Sequence, residues 1–179
     1  MVTRLVAAWN SRDLDGFISM LSEDVVWHDP AMPAPAVGRE AVRAFAHTVI
    51  RAFPDFTYTI IDPICVAPDG TKCALHWHVT ATHLESLDPP GYAPTGRRID
   101  QEGVDLLWFD GTKVARIVTL FDIVSALGQV LSLDLRPSPG SRREALAVGL
   151  QRLRARWLRA TKPAAGPKPA PPAEPETGR

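Results

Sequence analysis

Cysteine is scarce in this chain: two residues, Cys65 and Cys73, in 179. That count rules out a disulfide framework as the main source of stability. The two flank a predicted hairpin turn and read as buried thiols. No Cys-His-Asp layout accompanies them, so thiol catalysis is not expected. Apolar runs of the ~20 residues needed to cross a bilayer are missing. The opening Met1-Val2-Thr3-Arg4-Leu5 enters a helical pattern at once, without a signal-peptide layout, so a cytoplasmic location is expected. No internal repeat is present. Net charge is also lacking, at +0.

That zero hides an asymmetry. Residues 1–140 carry 11 Lys+Arg against 17 Asp+Glu, and residues 141–179 carry 9 against 3. An acidic body is therefore joined to a basic tail. Hydrophobic residues make up 45% of the chain, which fits a globular protein.

Helical spacing of Leu5, Val6, Ala8 and Trp9 predicts a first helix, broken at Asn10-Ser11-Arg12-Asp13. A second opens at Asp13, with Leu14, Phe17, Ile18 and Leu21 on its apolar face. Val25–Asp29 reads as a short strand stopped by Pro30, and Pro30–Gly38 as a loop. Arg39–Phe53 has one apolar side and reads as a helix. Four strands are then expected: Phe56–Val66, Lys72–His83, Arg97–Phe109 and Lys113–Phe121. A Pro/Gly-rich loop, Asp88–Gly96, precedes the third. A short helix starts after Asp122, read as its N-cap. Helices followed by a strand meander imply an α+β fold. A curved antiparallel sheet would carry helices on its concave face and enclose a pocket. That domain spans residues 1–133. A linker, 134–141, leads to an amphipathic basic helix, 142–161, opened by the capping-box pattern Ser141-Arg142-Arg143-Glu144. Residues 162–179 read as a disordered Pro/Ala-rich tail. The basic helix admits packing, an anionic membrane surface or nucleic acid as its contact. Without a nucleic-acid motif, packing on the acidic body is the default and no nucleic-acid partner is expected.

Asp105 is the residue that most needs explaining. It interrupts the apolar run Val104-Asp105-Leu106-Leu107-Trp108-Phe109, and strand alternation gives it the face of Gly103, Leu107 and Phe109. A carboxyl there must be hydrogen-bonded, protonated or lining a cavity. Asp29, ending Val25-Val26-Trp27-His28, is the second such residue; it is a base or a brace for the turn at Pro30. His83 shares a face with Trp77, Val79 and Ala81 and is a polar group of that face or a structural histidine at a strand end. His76 and His78 lie on the opposite face. With no third ligand at matching spacing they read as interface residues of a homodimer, and no metal is expected. Trp9, Trp27, Trp77 and Trp108 read as core or cavity lining. Tyr92 is a lid residue or a solvated loop tyrosine.

Several motifs in order carry a resemblance: Ala8-Trp9-Asn10-Ser11-Arg12-Asp13-Leu14-Asp15, Trp27-His28-Asp29-Pro30, Thr82-His83, Pro94-Thr95-Gly96-Arg97-Arg98, Asp110-Gly111-Thr112-Lys113, and Asp122 followed by Leu127-Gly128. Over about residues 1–133 the chain resembles the nuclear-transport-factor-2-like superfamily, and within it the SnoaL-like polyketide cyclase (ester cyclase) group. The resemblance implies a cone-shaped roll and a cofactor-independent cyclase or isomerase acting on a small hydrophobic carbonyl compound. A non-catalytic ligand-binding or scaffolding module is the alternative. The chain also resembles bacterial ketosteroid isomerase. That likeness implies Asp29 as base and Asp105 as a protonated hydrogen-bond donor, the arrangement in which apolar surroundings keep one aspartic acid neutral. The oxyanion tyrosine of that enzyme falls at Leu5, which has no proton to donate. The acid/base aspartate of the polyketide cyclases falls at Thr119. Asp29, Asp105 and His83 are thus the expected catalytic residues, and Trp9, Trp27, Trp77, Leu107 and Thr119 the expected substrate-binding ones. Epoxide or hydration chemistry is a third option; relatives of that kind add an arginine and a tyrosine.

Overall fold

A computed structural model describes residues 1–133 and 137–160. The chain divides into two units, Met1–Arg136 and Pro137–Arg179. The expected tail at 162–179 lies outside the described residues, as do 134–136 of the expected linker and Thr161, the expected end of the basic helix.

In the first unit, α1 (Val2–Asn10) and α2 (Leu14–Ser19) lead into β1 (Leu21–His28) and β2 (Ala36–Val37), followed by α3 (Gly38–Ala52). β3 (Thr57–Ile60), β4 (Cys65–Val66), β5 (Lys72–Thr82), β6 (Arg98–Asp110) and β7 (Lys113–Phe121) follow, and α4 (Ile123–Leu131) closes the unit. The strands form one sheet in the order β2-β1-β7-β6-β5-β3, with β4 also on β5. Among the described residues, β1 and β7 run parallel and the other pairs are antiparallel. The fold is therefore α+β, with helices against one face of a curved sheet.

Local chemistry places the helix starts. Asp13 accepts a hydrogen bond from the Gly16 N–H (2.8 Å) and Asp122 from that of Ser125 (3.1 Å), each satisfying a backbone donor of the first turn. Arg12 turns the chain between α1 and α2 at φ 63°. Its guanidinium donates to the carbonyls of Asn10 (2.7 Å) and Pro54 (2.6 Å), fixing that turn to the end of α3.

Three expectations need correction. Leu21 belongs to β1 rather than to the second helix, and it is fully buried there. The expected strand at 56–66 is two short strands, separated around Pro63, which cannot donate to a ladder. Cys65 is exposed, while Cys73 is the buried thiol, because the two occupy opposite sides of the β4–β5 pair.

The core follows strand alternation. Inward residues of β5 (Cys73, Leu75, Trp77, Val79, Ala81) are all buried, as are Val25 and Trp27 of β1 and Leu107 of β6. Trp9 of α1 packs edge-on against Phe17, Trp27 and Phe56, at 5.2–5.9 Å between ring centroids. Trp108 departs from its expected place. It lies on the other face of β6 with the Arg116 guanidinium 4.9 Å over its ring.

In the second unit, α5 (Arg142–Ala160) begins at a reciprocal cap. The Ser141 hydroxyl accepts from the Glu144 N–H (3.1 Å), and the Glu144 carboxylate accepts from the Gly140 N–H. Among the described residues, no helix is long and apolar enough to cross a membrane.

Candidate active site

A cavity of about 810 Å³ opens between the helices and the concave face of the sheet. Its wall is largely aromatic and aliphatic, with Trp9, Trp27, Phe45, Phe56, Trp77 and Phe121 among the rings. Asp29, Asp105, Tyr58, Thr119 and Gln101 supply polar groups. Among the described residues, no lysine, arginine or histidine lines it.

Register puts the two carboxyls in one chamber. Asp105 pairs with Leu75 on one side and Thr119 on the other, so all three side chains project inward in one row. Trp27 pairs with Ile117 across β1 and β7. Asp29, two residues further along, therefore comes level with Thr119. It follows the last residue of β1 rather than belonging to the strand, and its Oδ1 accepts the Ala31 N–H at 2.8 Å. The turn brace and the cavity carboxyl are thus one side chain.

Burial sets the charge state of both acids. Loss of hydration pushes the Asp29 carboxyl up to about 6; the Ala31 N–H pulls the other way, and the nearby Asp105 charge adds to the rise. Asp105 is more deeply buried, and desolvation raises it well above the ordinary carboxylate range. The Tyr58 hydroxyl opposes this by donating to Asp105 Oδ2 at 2.8 Å. Thr119 and Trp77 face the same carboxyl and pull in the same direction, yet neither makes a hydrogen bond to Oδ1. Among the described residues, Oδ1 of Asp105 is buried with no hydrogen-bond partner. The indole N–H groups of Trp9 and Trp77 and the Gln101 Oε1 are in the same state, and all belong to cavity-lining residues. A buried polar atom left this way costs free energy that a bound ligand can return.

The expected residues separate into two groups. Asp29, Asp105, Trp9, Trp27, Trp77, Leu107 and Thr119 all line the cavity, as does Leu5. Thr119 accepts a hydrogen bond from the Trp27 indole (2.9 Å), so it orients an aromatic wall. His83 does not join them. It is fully buried at the end of β5, stacked on Phe53 (5.2 Å) with Nδ1 3.3 Å from the Thr95 hydroxyl. The Thr95 hydroxyl in turn donates to the Val130 carbonyl (2.7 Å), which tethers the loop before β6 to α4. Tyr92, by contrast, does reach the cavity wall, together with Pro89 and Pro90 of its loop. His76 and His78 pair with acidic neighbours on the outer face, with Asp62 (2.6 Å) and Asp100 (2.8 Å). Among the described residues, no group of three or more His, Cys, Asp or Glu is arranged to hold a metal ion.

Tyr58 is the functional residue that the sequence reading missed. It sits on the short edge strand β3, held by a two-way bond with Asn10: the Asn10 side chain donates to the Tyr58 carbonyl and accepts from its N–H, both at 2.8 Å. Its ring stacks beside Trp77 at 5.6 Å. Phe56, Tyr58 and Ile60 alternate on one face, a pattern that points the phenol inward. Nothing local indicates that its partner is a carboxyl 47 residues away.

This α+β roll around an apolar chamber has the ketosteroid-isomerase-like fold. Within that class the chain belongs to the SnoaL-like domain family, whose model matches residues 2–117. Solved structures agree on the fold. A candidate polyketide cyclase from Pseudomonas putida KT2440 superposes with a TM-score of 0.63 at 22% identity, covering 72% of this chain and 94% of that one. AclR, a candidate hydroxylase from Streptomyces galilaeus, gives 0.62 at 28% identity, covering 74% and 94%. SalBIII, an epoxide hydrolase/cyclase-like enzyme with a role in pyran ring formation in the polyether salinomycin, gives 0.57 at 20%, covering 69% and 89%. No curated protein matches the chain.

Proposed function

We propose that this protein isomerises or cyclises a small, hydrophobic, polyketide-like carbonyl compound by proton transfer between carboxyl groups, without a cofactor. The observation that carries the proposal is the pair Asp29 and Asp105 lining one apolar chamber, close enough that a charge on Asp105 would push the Asp29 carboxyl further up. Asp29, titrating near 6, is ionised at neutral pH and is the base. Asp105, kept neutral by burial, donates a proton from Oδ1, the carboxyl edge that has no hydrogen-bond partner among the described residues.

In the reaction, Asp29 removes a proton from the carbon beside the substrate carbonyl. The C–H electron pair becomes the enolate C=C bond, and the carbonyl oxygen takes the negative charge under the Asp105 proton. In a substrate with a C=C bond one carbon further on, the enolate extends over it, and the γ-carbon takes the proton from Asp29 as the carbonyl re-forms, which is isomerisation. Otherwise the enolate carbon attacks a second carbonyl of the same molecule, the first carbonyl re-forms, and the new alkoxide takes the proton from Asp29, which closes a ring. Tyr58 holds Asp105 at the correct angle. The missing positive charge in the wall favours a neutral substrate, and the aromatic lining favours a ring system. The solved neighbours named for polyketide cyclisation and pyran formation support ring closure. His83 acts structurally in this reading, behind the wall. A homodimer joined through the outer sheet face, where Leu120 is exposed, and a cytoplasmic setting complete the proposal.

Deuterium wash-in tests it. A tricyclic ketone ester incubated with the protein in D₂O gains deuterium beside its carbonyl, followed by mass spectrometry. Asp29→Asn and Asp105→Asn lose the exchange while still quenching tryptophan fluorescence on binding. Undiminished exchange in both variants refutes the assignment; binding without exchange in the parent protein favours the non-catalytic module.

A further inference from the structure

Among the described residues, the Gln101 Oε1 is buried without a hydrogen-bond partner, and the proposed reaction makes no use of it. Gln101 lines the cavity from β6, on the same strand face as Asp105. Its amide is held one way round. Nε2 donates to the Glu102 carbonyl at 2.8 Å, and a carbonyl can only accept, so the NH₂ end stays there and Oε1 keeps its own direction. The backbone beneath is fixed as well. β7 ends at the pair of Phe121 with Gly103, so β6 continues past it from Arg98 to Glu102. Gln129 of α4 closes that edge: its Oε1 accepts from the Asp100 N–H (2.7 Å), and its Nε2 donates to the Asp100 carbonyl (3.1 Å).

We infer that Gln101 is a specificity residue for the far end of the substrate, its Oε1 accepting from a hydroxyl on the ring most distant from the reacting carbonyl. The inference rests on the proposed reaction, which puts that carbonyl at Asp105. Gln101 and Asp105 are four residues apart on one face, ~13 Å at about 3.3 Å per residue, and on a concave sheet the side-chain ends lie closer. Gly103 stands between them. A β-carbon there would lie 2.3 Å from the Trp77 ring, so the indole takes that place and gives the wall a flat apolar stretch between two polar ends. This pattern fits an elongated fused-ring ketone that carries a hydroxyl at its far end. A second carbonyl there would set oxygen against oxygen. A buried acceptor left unpaired costs free energy, and a donor placed against it recovers that cost, so the site favours the hydroxyl over analogues that lack it.

The test uses the full chain and three probes: a dihydrophenanthrenone with a hydroxyl on the ring farthest from its ketone, the methyl ether of that hydroxyl, and the analogue with a formyl group in its place. Isothermal titration calorimetry gives the dissociation constants. The hydroxyl compound should bind about tenfold more tightly than the other two. In Gln101→Met, which keeps the side-chain length and removes the acceptor, this preference should vanish. The comparison within the parent protein needs no variant, and equal binding of hydroxyl and ether there overturns the inference and leaves Oε1 to water. A preference that survives in Gln101→Met also overturns it; its loss in Asp29→Asn would then place the hydroxyl at the acids. Deuterium exchange, read separately, keeps the two proposals apart. Exchange without the hydroxyl preference removes the Gln101 subsite and spares the acids. The preference without exchange supports the subsite and removes the proton transfer.

Discussion

Replacing Asp29 by asparagine isolates the energetic consequence of burying that carboxyl. The substituted amide would keep an oxygen to accept the Ala31 N–H and lose only the ionisable proton. In the parent protein the carboxyl titrates near 6, against 3.8 for an unperturbed aspartate. Between these values the folded state holds more protons than the unfolded chain, so the contribution of Asp29 to stability declines as pH rises. It is intact below the unfolded value and gone above the folded one. Each unit of displacement is worth about 1.36 kcal/mol, which gives about 3 kcal/mol over the window. Asp29→Asn has no such decline. Its stability relative to the parent should therefore improve by about 3 kcal/mol between about pH 4 and pH 7. Urea denaturation at several pH values measures this, with the slope held common to both proteins. Asp55 and Asp69, held low by bonds from Thr82 and Thr71 respectively, titrate in both proteins and cancel in the difference. A stability difference that is flat with pH, or that moves against the variant as pH rises, refutes the desolvated carboxyl and with it the proposed base.

Gly103→Ala would place a methyl 2.3 Å from the Trp77 ring and 2.7 Å from the Leu120 carbonyl oxygen, so the indole must leave its seat beside Tyr58. A loss of about 1–3 kcal/mol in urea denaturation is expected, with a shifted tryptophan emission; parent-like values of both would show that the indole is not seated on that glycine. Thr119→Val leaves the Trp27 indole N–H without its acceptor and should cost about 1–3 kcal/mol, while Thr119→Ser should recover most of it; equal loss in the two variants would assign the effect to packing instead.

Patterning made most of the architecture legible. Alternation through Val104–Phe109 put Asp105 on the apolar face, and the pairing of Asp105 with Leu75 and Thr119 shows that side chain among core residues. The caps at Asp13 and Asp122 were readable because an N-cap bond spans only three residues. Trp108 was misplaced because size alone suggested burial, although its position in the alternation already gave the outer face. Leu21 was misread because a helix stripe and a strand start look alike over one residue.

The sequence by itself determined the elements, their faces and the two acids, since each depends on neighbours within a few positions along the chain. Tertiary structure alone decided which groups meet. Tyr58 reaches Asp105 only because β3 and β6 flank β5, and Asn10 fixes β3 from the far end of α1. His83 lies behind the cavity rather than in it because the strand end carries it past the wall onto Phe53. The raised pKa values of the two acids arise the same way: they come from water excluded by side chains distant in sequence, a property that no local pattern encodes.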